Sequence, residues 1–165
     1  MMAAMSFLLI GLLGGFNGLR TMTPIAVLCW FAWMQRVSLM GWRSFAANLI
    51  AVVIFTAAAL GEIYGDKLPT TPSRLRPVGI GARAVFASLC AVLLAQPLGL
   101  PVIAAGAAGV AGALLGAYGG WFVRTRSVAA LKCADWKVAV VEDTAAILGA
   151  FFVLNSLADT TKHVL

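Results

Sequence analysis

Gly18-Leu19-Arg20-Thr21-Met22-Thr23-Pro24 interrupts an apolar run that extends from Ala3 to Met34. In a water-soluble chain this heptapeptide would read as a loop. Between these flanks it reads as a break in a membrane helix. Bilayers admit irregular backbone only where it is buried in protein or lines a wet cavity. An ionisable side chain at that depth marks a functional site by default. The break also has a geometric cause. A straight helix of about 30 residues would be roughly 45 Å long, against a hydrocarbon core of ~30 Å. Either the run is one helix broken near its middle, or it is a hairpin whose tip is Arg20. Thr23 suits the N-cap of the second piece, and Pro24 its first turn.

Composition points the same way. Of the 165 residues, 62% are hydrophobic and only 11% are charged, with a mean hydropathy of +0.97. A soluble domain runs to about 45–50% apolar and about 25% charged. One integral membrane domain covering the whole chain is expected, with the lipid bilayer as its surroundings. The net charge of +6 does not indicate nucleic acid, because the basic residues sit in short stretches between apolar runs. No Lys or Arg precedes Arg20, so the basic head of a cleaved signal peptide is missing. The first run is expected to be a retained membrane segment. Cys29, Cys90 and Cys133 form no CxxC pair, and the single histidine is His163. This inventory builds neither a zinc site nor a Cys/His catalytic pair, and no cofactor is implied. The cysteines read as small apolar fillers.

Further spans follow at Phe45–Leu60, Ala84–Ala95, Val102–Val123 and Val138–Leu157. The fold class expected is an all-α polytopic bundle of five or six segments, the first broken or re-entrant at Gly18–Pro24. Trp30, Trp33 and Trp42 flank Gln35–Arg43 and suit an aromatic belt at one interface. Between the second and third spans, Pro69, Pro72 and Pro77 keep Thr70–Pro77 from being helical. Gln96–Pro101 makes an uncharged turn, and the stretch from Arg124 to Lys137 reads as a basic loop. On the fourth span Gly109, Gly112, Gly116, Gly119 and Gly120 form a smooth strip that lets helix backbones approach closely. The strip serves packing within the chain or, as the sharper alternative, the seam of a homodimer.

Lys67, Arg74, Arg76, Arg83, Arg124, Arg126, Lys132 and Lys137 fall on one side if the spans alternate, eight in all, against Arg36, Arg43 and Lys162 on the other. By the positive-inside rule the richer side is cytoplasmic. The C-terminus then lies outside the cytoplasm. The N-terminus lies outside as well if the first run is a hairpin.

The hairpin form would carry Arg20 to the basic side, where the acids also fall. Glu62 and Asp66 are four apart and share a helix face. Glu142 and Asp143 lie in the first turns of the last span, but they point about 100° apart, which makes Asp143 the weaker candidate. The candidate cluster is Arg20, Thr21, Thr23, Glu62, Asp66, Lys67, Arg124, Glu142 and Asp143. Arg20 has no acidic residue near it in sequence, so its partner must come from another helix. Glu62 is the first candidate, then Asp66 or Glu142. The cluster either orients helices through ion pairs or binds an ion, a proton or an anionic group. Hydroxyls at Thr70, Thr71 and Ser73 could ligate an ion or bond to local backbone.

Gly14-Gly15-Phe16-Asn17-Gly18 before Arg20-Thr21 weakly echoes Gly116-Ala117-Tyr118-Gly119-Gly120 before Arg124-Thr125. If the echo is a true repeat and the first run crosses once, the two spans would run oppositely, as in inverted-repeat transporters.

These same residues carry a resemblance. Gly18–Pro24, Gly61-Glu62 with Asp66-Lys67-Leu68-Pro69, Thr71-Pro72-Ser73-Arg74, Gly116–Gly120 and Glu142-Asp143 are similar to the bacterial membrane proteins grouped as domain-of-unknown-function family 4126. The likeness covers nearly the whole chain. It implies a small all-helical inner-membrane protein, with no activity attached. Thr21 stands where many members carry a serine, which keeps the hydroxyl.

Three function classes remain. A broken helix beside intramembrane charge leads to a transporter or channel for a small ion or solute. The alternative is a membrane-embedded enzyme or lipid-handling protein acting at lipid head groups. It would use Glu62, Asp66 and Glu142 as acid/base groups or divalent-metal ligands. A structural membrane subunit is the third. The direction in which the cluster opens separates the first two: a water-filled vestibule favours transport, a lateral lipid gap favours lipid chemistry. So short a chain encloses no wide pathway alone, so a homo-oligomer, most simply a dimer, is expected.

Overall fold

The computed structural model describes residues 2–67, 75–132 and 134–162. The order is α1 (Met2–Leu19), α2 (Thr23–Trp33), a 3-10 helix at Gly41–Ala47, α3 (Leu49–Gly65), α4 (Pro77–Ala95), α5 (Val102–Leu131) and α6 (Asp135–Lys162), with no strand among the described residues. Three helices, α4, α5 and α6, are long and apolar enough to cross a membrane. A fourth span exists if the 3-10 helix and α3, bent by 59° at Asn48, count as one. Asn48 accepts from the Ile50 N–H and so caps α3. α1 and α2 are each shorter.

The first run breaks between Leu19 and Thr23, and side-chain contacts give the direction of each half. Arg20 meets Asp143 of α6. The Phe16 ring lies over Gly149 of α6, where even a Cβ would collide with it. On the far side of the break, Phe31 packs edge-on against Phe151 with ring centroids 5.4 Å apart, and Arg36 donates to Asn155. Both α1 read backwards and α2 read forwards therefore descend along α6 from the same point. The chain turns back at Arg20. α3 returns antiparallel to α2, with Trp30 against Thr56 at one end and Met22 against Glu62 at the other. α4 then runs down and α5 up beside it.

Most of the glycine strip packs inside the chain, the first of its two expected uses, so Gly109, Gly112 and Gly116 are not free to form a dimer seam. Gly112 lies against the backbone of Gly11, Gly116 against Gly15, Gly14 against Gly109, and Gly18 against Ala113 and Ala117. A methyl on Gly14, Gly18, Gly112 or Gly116 would sit inside the opposing backbone. The back of Gly109 faces Ala87 of α4, whose carbonyl oxygen is 2.7 Å from where a Cβ would stand. Rising residue numbers match on both helices, so α1 and α5 run parallel, not opposed. Lipid offers no hydrophobic drive for helices to associate, and close van der Waals approach takes its place. Gly119 is the exception: nothing lies within 4 Å of a Cβ there.

The segment boundaries differ from the expectation in one way that matters. α5 continues past Val123 to Leu131, ending where Lys132 takes φ 47°. Arg124 and Arg126 are therefore helical, and only 132–134 separate α5 from α6. α4 likewise begins at Pro77, which places Arg83 inside it. Thr70, Thr71, Ser73, Arg74, Cys133 and His163 lie outside the described residues.

The distribution of polarity is that of a protein in lipid. Leu8, Ile50, Val53, Leu115, Val141 and Phe152 are exposed, while Arg20 is 1% exposed. A soluble fold does the reverse.

Candidate functional site

The break is built by two charges from other helices. α1 ends with unpaired carbonyls and a partial negative charge, and α2 begins with unpaired N–H groups and a partial positive one. Arg83 donates through Nε to the Gly18 carbonyl at 3.0 Å and through Nη1 to the Gly79 carbonyl. Glu62 accepts the Thr21 N–H at 2.8 Å on one oxygen and the Met22 N–H at 2.7 Å on the other. A cation thus meets the C-terminal end of α1, and an anion the N-terminal end of α2.

This overturns two expectations. Thr23 is not the N-cap of α2. Met22 occupies that position without a side-chain bond, and the Thr23 hydroxyl is buried with no partner among the described residues. Glu62 is not the partner of Arg20, because both its oxygens are committed to backbone. Thr21 enters through its N–H.

Arg20 instead donates Nε to Asp143 at 2.5 Å and Nη2 to Asp66 at 2.7 Å, with Glu142 at 4.0 Å. Asp143, read from sequence as the weaker acid, is its closest partner. The other Asp143 oxygen takes the Lys67 ammonium at 2.7 Å. Asp66 is shared with Arg124 Nη1 at 2.6 Å, and the same nitrogen lies 3.3 Å from Glu142. Arg124 Nε donates to one Asp135 oxygen at 2.9 Å, and Nη2 donates to the other. Five of the six acidic residues in the chain, Glu62, Asp66, Asp135, Glu142 and Asp143, therefore gather around the hairpin tip. Asp135 and Arg83 were not among the candidate site residues. Pro77 at the first turn of a helix would have placed Arg83 within α4, since a helix begun there reaches it two turns on.

Asp66 lies just beyond α3. Burial pushes its carboxyl up, but hydrogen bonds and charge from Arg20 and Arg124 outweigh that and hold it at about 2. Asp66 is in this sense used up by cations, which suits a permanent joint better than a titrating acid/base group.

Beside the cluster, α5 and α6 diverge over α1 and leave a lateral groove with a cavity of about 450 Å³. Its floor is Gly15, Phe16 and Leu19; its walls are Leu115, Gly116, Gly119, Gly120 and Val123 of α5 and Val138, Val141 and Ala145 of α6. Arg124, Ser127 and Glu142 line its polar end. Gly109, Gly112 and Gly116 thus hold α1, while Gly119 and Gly120 keep the groove open.

No family model matches the chain, and neither a curated protein nor a solved structure matches it.

Proposed function

We propose that this chain is a multi-pass inner-membrane protein that handles a lipid-like amphiphile. The groove takes the hydrocarbon chain, and the ion pairs at the hairpin tip meet the head. The single observation that carries this is the lining of the cavity: an apolar groove between α5 and α6 over α1 that ends at Arg124 and Glu142. Ligand cavities of about 300–1,000 Å³, mostly apolar with a few convergent polar groups, are the usual form of a binding site. In this reading the six helices alternate across the bilayer, with α1 and α2 as a re-entrant pair. The cluster faces the cytoplasm and both termini lie outside, since the tip, the ends of α3 and α5 and the starts of α4 and α6 share the basic side.

Native mass spectrometry of the protein released from mixed-lipid vesicles tests the reading. One retained amphiphile per chain is expected, and Gly119→Phe, which fills the groove from an open position, should remove it. Release of a lipid-free chain, or retention unaffected by Gly119→Phe, would contradict it.

Transport of a small ion or solute is the second reading. It is favoured by Asn17 Oδ1 and Thr23 Oγ1, buried acceptors on either side of the break with no partner among the described residues. A liposome flux screen over common ions, with Arg20→Ala as control, tests it. Flux abolished by Arg20→Ala would move the conclusion to this reading.

A further inference from the structure

Granting that the groove holds an amphiphile, we infer that its head is anionic, a carboxylate or a phosphate, and that it enters the fork of Arg124 in place of Asp135. Arg124 lines the polar end of the groove, and its nitrogens divide into two sets. Nη1 serves Asp66 at 2.6 Å and Glu142 at 3.3 Å, acids that are 16% and 9% exposed. Nε and Nη2 hold the two oxygens of Asp135, which is 59% exposed. That outer set aims two donors at two oxygens, the arrangement by which a guanidinium recognises a carboxylate or a phosphate. Asp135 thus stands where an anionic head would be bound. Its release costs little, because it passes into water and exposed ion pairs are weak. The inner pairs with Asp66 and Glu142, which Arg20 shares, stay as they are.

The position of Asp135 supports this. Val138, Glu142 and Ala145 line the groove from α6, and steps of three and four residues place them on one helix face. Asp135 is one step earlier on that face, at the first residue of α6, and so closes the polar end of the trough. The helix start there carries partial positive charge, which favours an anion whether or not Asp135 supplies it. Ser127, one turn beyond Arg124 and also lining the groove, can donate its hydroxyl to a head in the fork. From residue 124 to residue 137, Arg124, Arg126, Lys132 and Lys137 stand against Asp135 alone, so the field at that end attracts anions. A neutral head gains nothing from that field and leaves Asp135 in place.

The experiment uses the full chain in phosphatidylcholine nanodiscs at about pH 8, well above a carboxyl's ordinary value of about 4. Two diazirine probes share one hydrocarbon chain, a fatty acid and the matching fatty alcohol, and labelled sites are mapped by peptide mass spectrometry. The fatty acid should label Leu115, Val123 and Val141. Excess alkyl phosphate of the same chain should suppress that labelling, and the same excess of fatty alcohol should leave it. Asp135→Asn removes the charge that competes for the fork and should raise the acid's apparent affinity about three- to fivefold, with the alcohol unmoved. The gain should persist when Asp135→Asn is combined with Arg126→Gln. That change restores the net charge without touching the fork, since the Arg126 guanidinium lies over Phe122. Gly119→Phe should abolish the labelling, whereas Gly61→Phe, at another open glycine on α3, should not. If the alcohol labels or competes as well as the acid, or the gain vanishes in the double variant, the head-group inference is overturned while the groove reading stands. If both probes label all outer faces alike and Gly119→Phe changes nothing, the groove holds ordinary bilayer lipid only and both fall.

Discussion

Arg20 is the most confined charge among the described residues, at 1% exposed, and it sits at the break where α1 turns back into α2. Its guanidinium is a planar fork that serves Asp66 and Asp143 at once; a lysine could serve one of them. Removing one partner of a buried pair costs about 3–5 kcal/mol. Arg20→Gln and Asp143→Asn should each lower the melting temperature strongly, and the double variant should be less destabilised than their sum. Strict additivity in detergent melts would show that the two do not act as a pair. Asp66 gives a pH signature. Its ordinary value of 3.8 is held down to about 2, so the unfolded chain binds the proton more readily. The stability it contributes is full above its ordinary value and is lost as pH falls through about 2. Melting followed on the acid side should fall in the native chain and be flatter in Asp66→Asn. At this scale the sequence named the acids but misassigned them. Choosing between Glu142 and Asp143 needs the rotational phase of α6, and that helix starts at Asp135 rather than Val138. Glu62 was taken for a charge partner because nothing in sequence shows that two backbone N–H groups will be left bare at Thr21 and Met22.

The elements obey two rules. Broken helix ends need partners, and helices in lipid need close approach. Glu62 supplies the first for α2. Glu62→Gln keeps one acceptor and leaves the other N–H without a charged partner, at a cost of about 1–2 kcal/mol. Hydrogen exchange at Thr21 and Met22 should rise in that variant, and unchanged protection would contradict the cap. The glycines supply the second, and they divide sharply. Alanine ordinarily gains about 1 kcal/mol over glycine in a helix. At Gly119, with open space, that gain should appear. At Gly116 the added methyl meets the Gly15 backbone, which cannot yield without separating α1 from α5. Overpacking of this kind costs about 1–3 kcal/mol. Paired melts of Gly116→Ala and Gly119→Ala should therefore move in opposite directions. The sequence showed the strip and its closeness to another backbone. It could not show which backbone, because Gly11, Gly14, Gly15 and Gly18 sit in a run that reads simply as small and apolar. The basic loop was misread for a related reason. Nothing between Val123 and Leu131 breaks a helix, so α5 runs on and places Arg124 within reach of Asp66 and Asp135.

The molecule as a whole is apolar outside and charged at one internal point, with a groove leading sideways from that point. Composition and the lengths of the apolar runs made the helical class legible, and the break was legible because a ~45 Å helix outruns a ~30 Å core. Sequence left open whether the first run crosses or returns, since both forms place Arg20 mid-run, and only contacts between distant residues separate them. The ion-pair cluster, the direction of the groove and the side on which the N-terminus lies all depend on the return. Cysteine cross-linking in native membranes tests it most directly, with Cys29, Cys90 and Cys133 replaced by alanine. Phe31→Cys paired with Phe151→Cys should be joined by a short bifunctional maleimide, because those two side chains meet between α2 and α6. A straight crossing would instead carry α2 past the cluster toward the start of α6. Cross-linking of Phe31→Cys to Trp136→Cys, with none to Phe151→Cys, would contradict the hairpin and the account built on it.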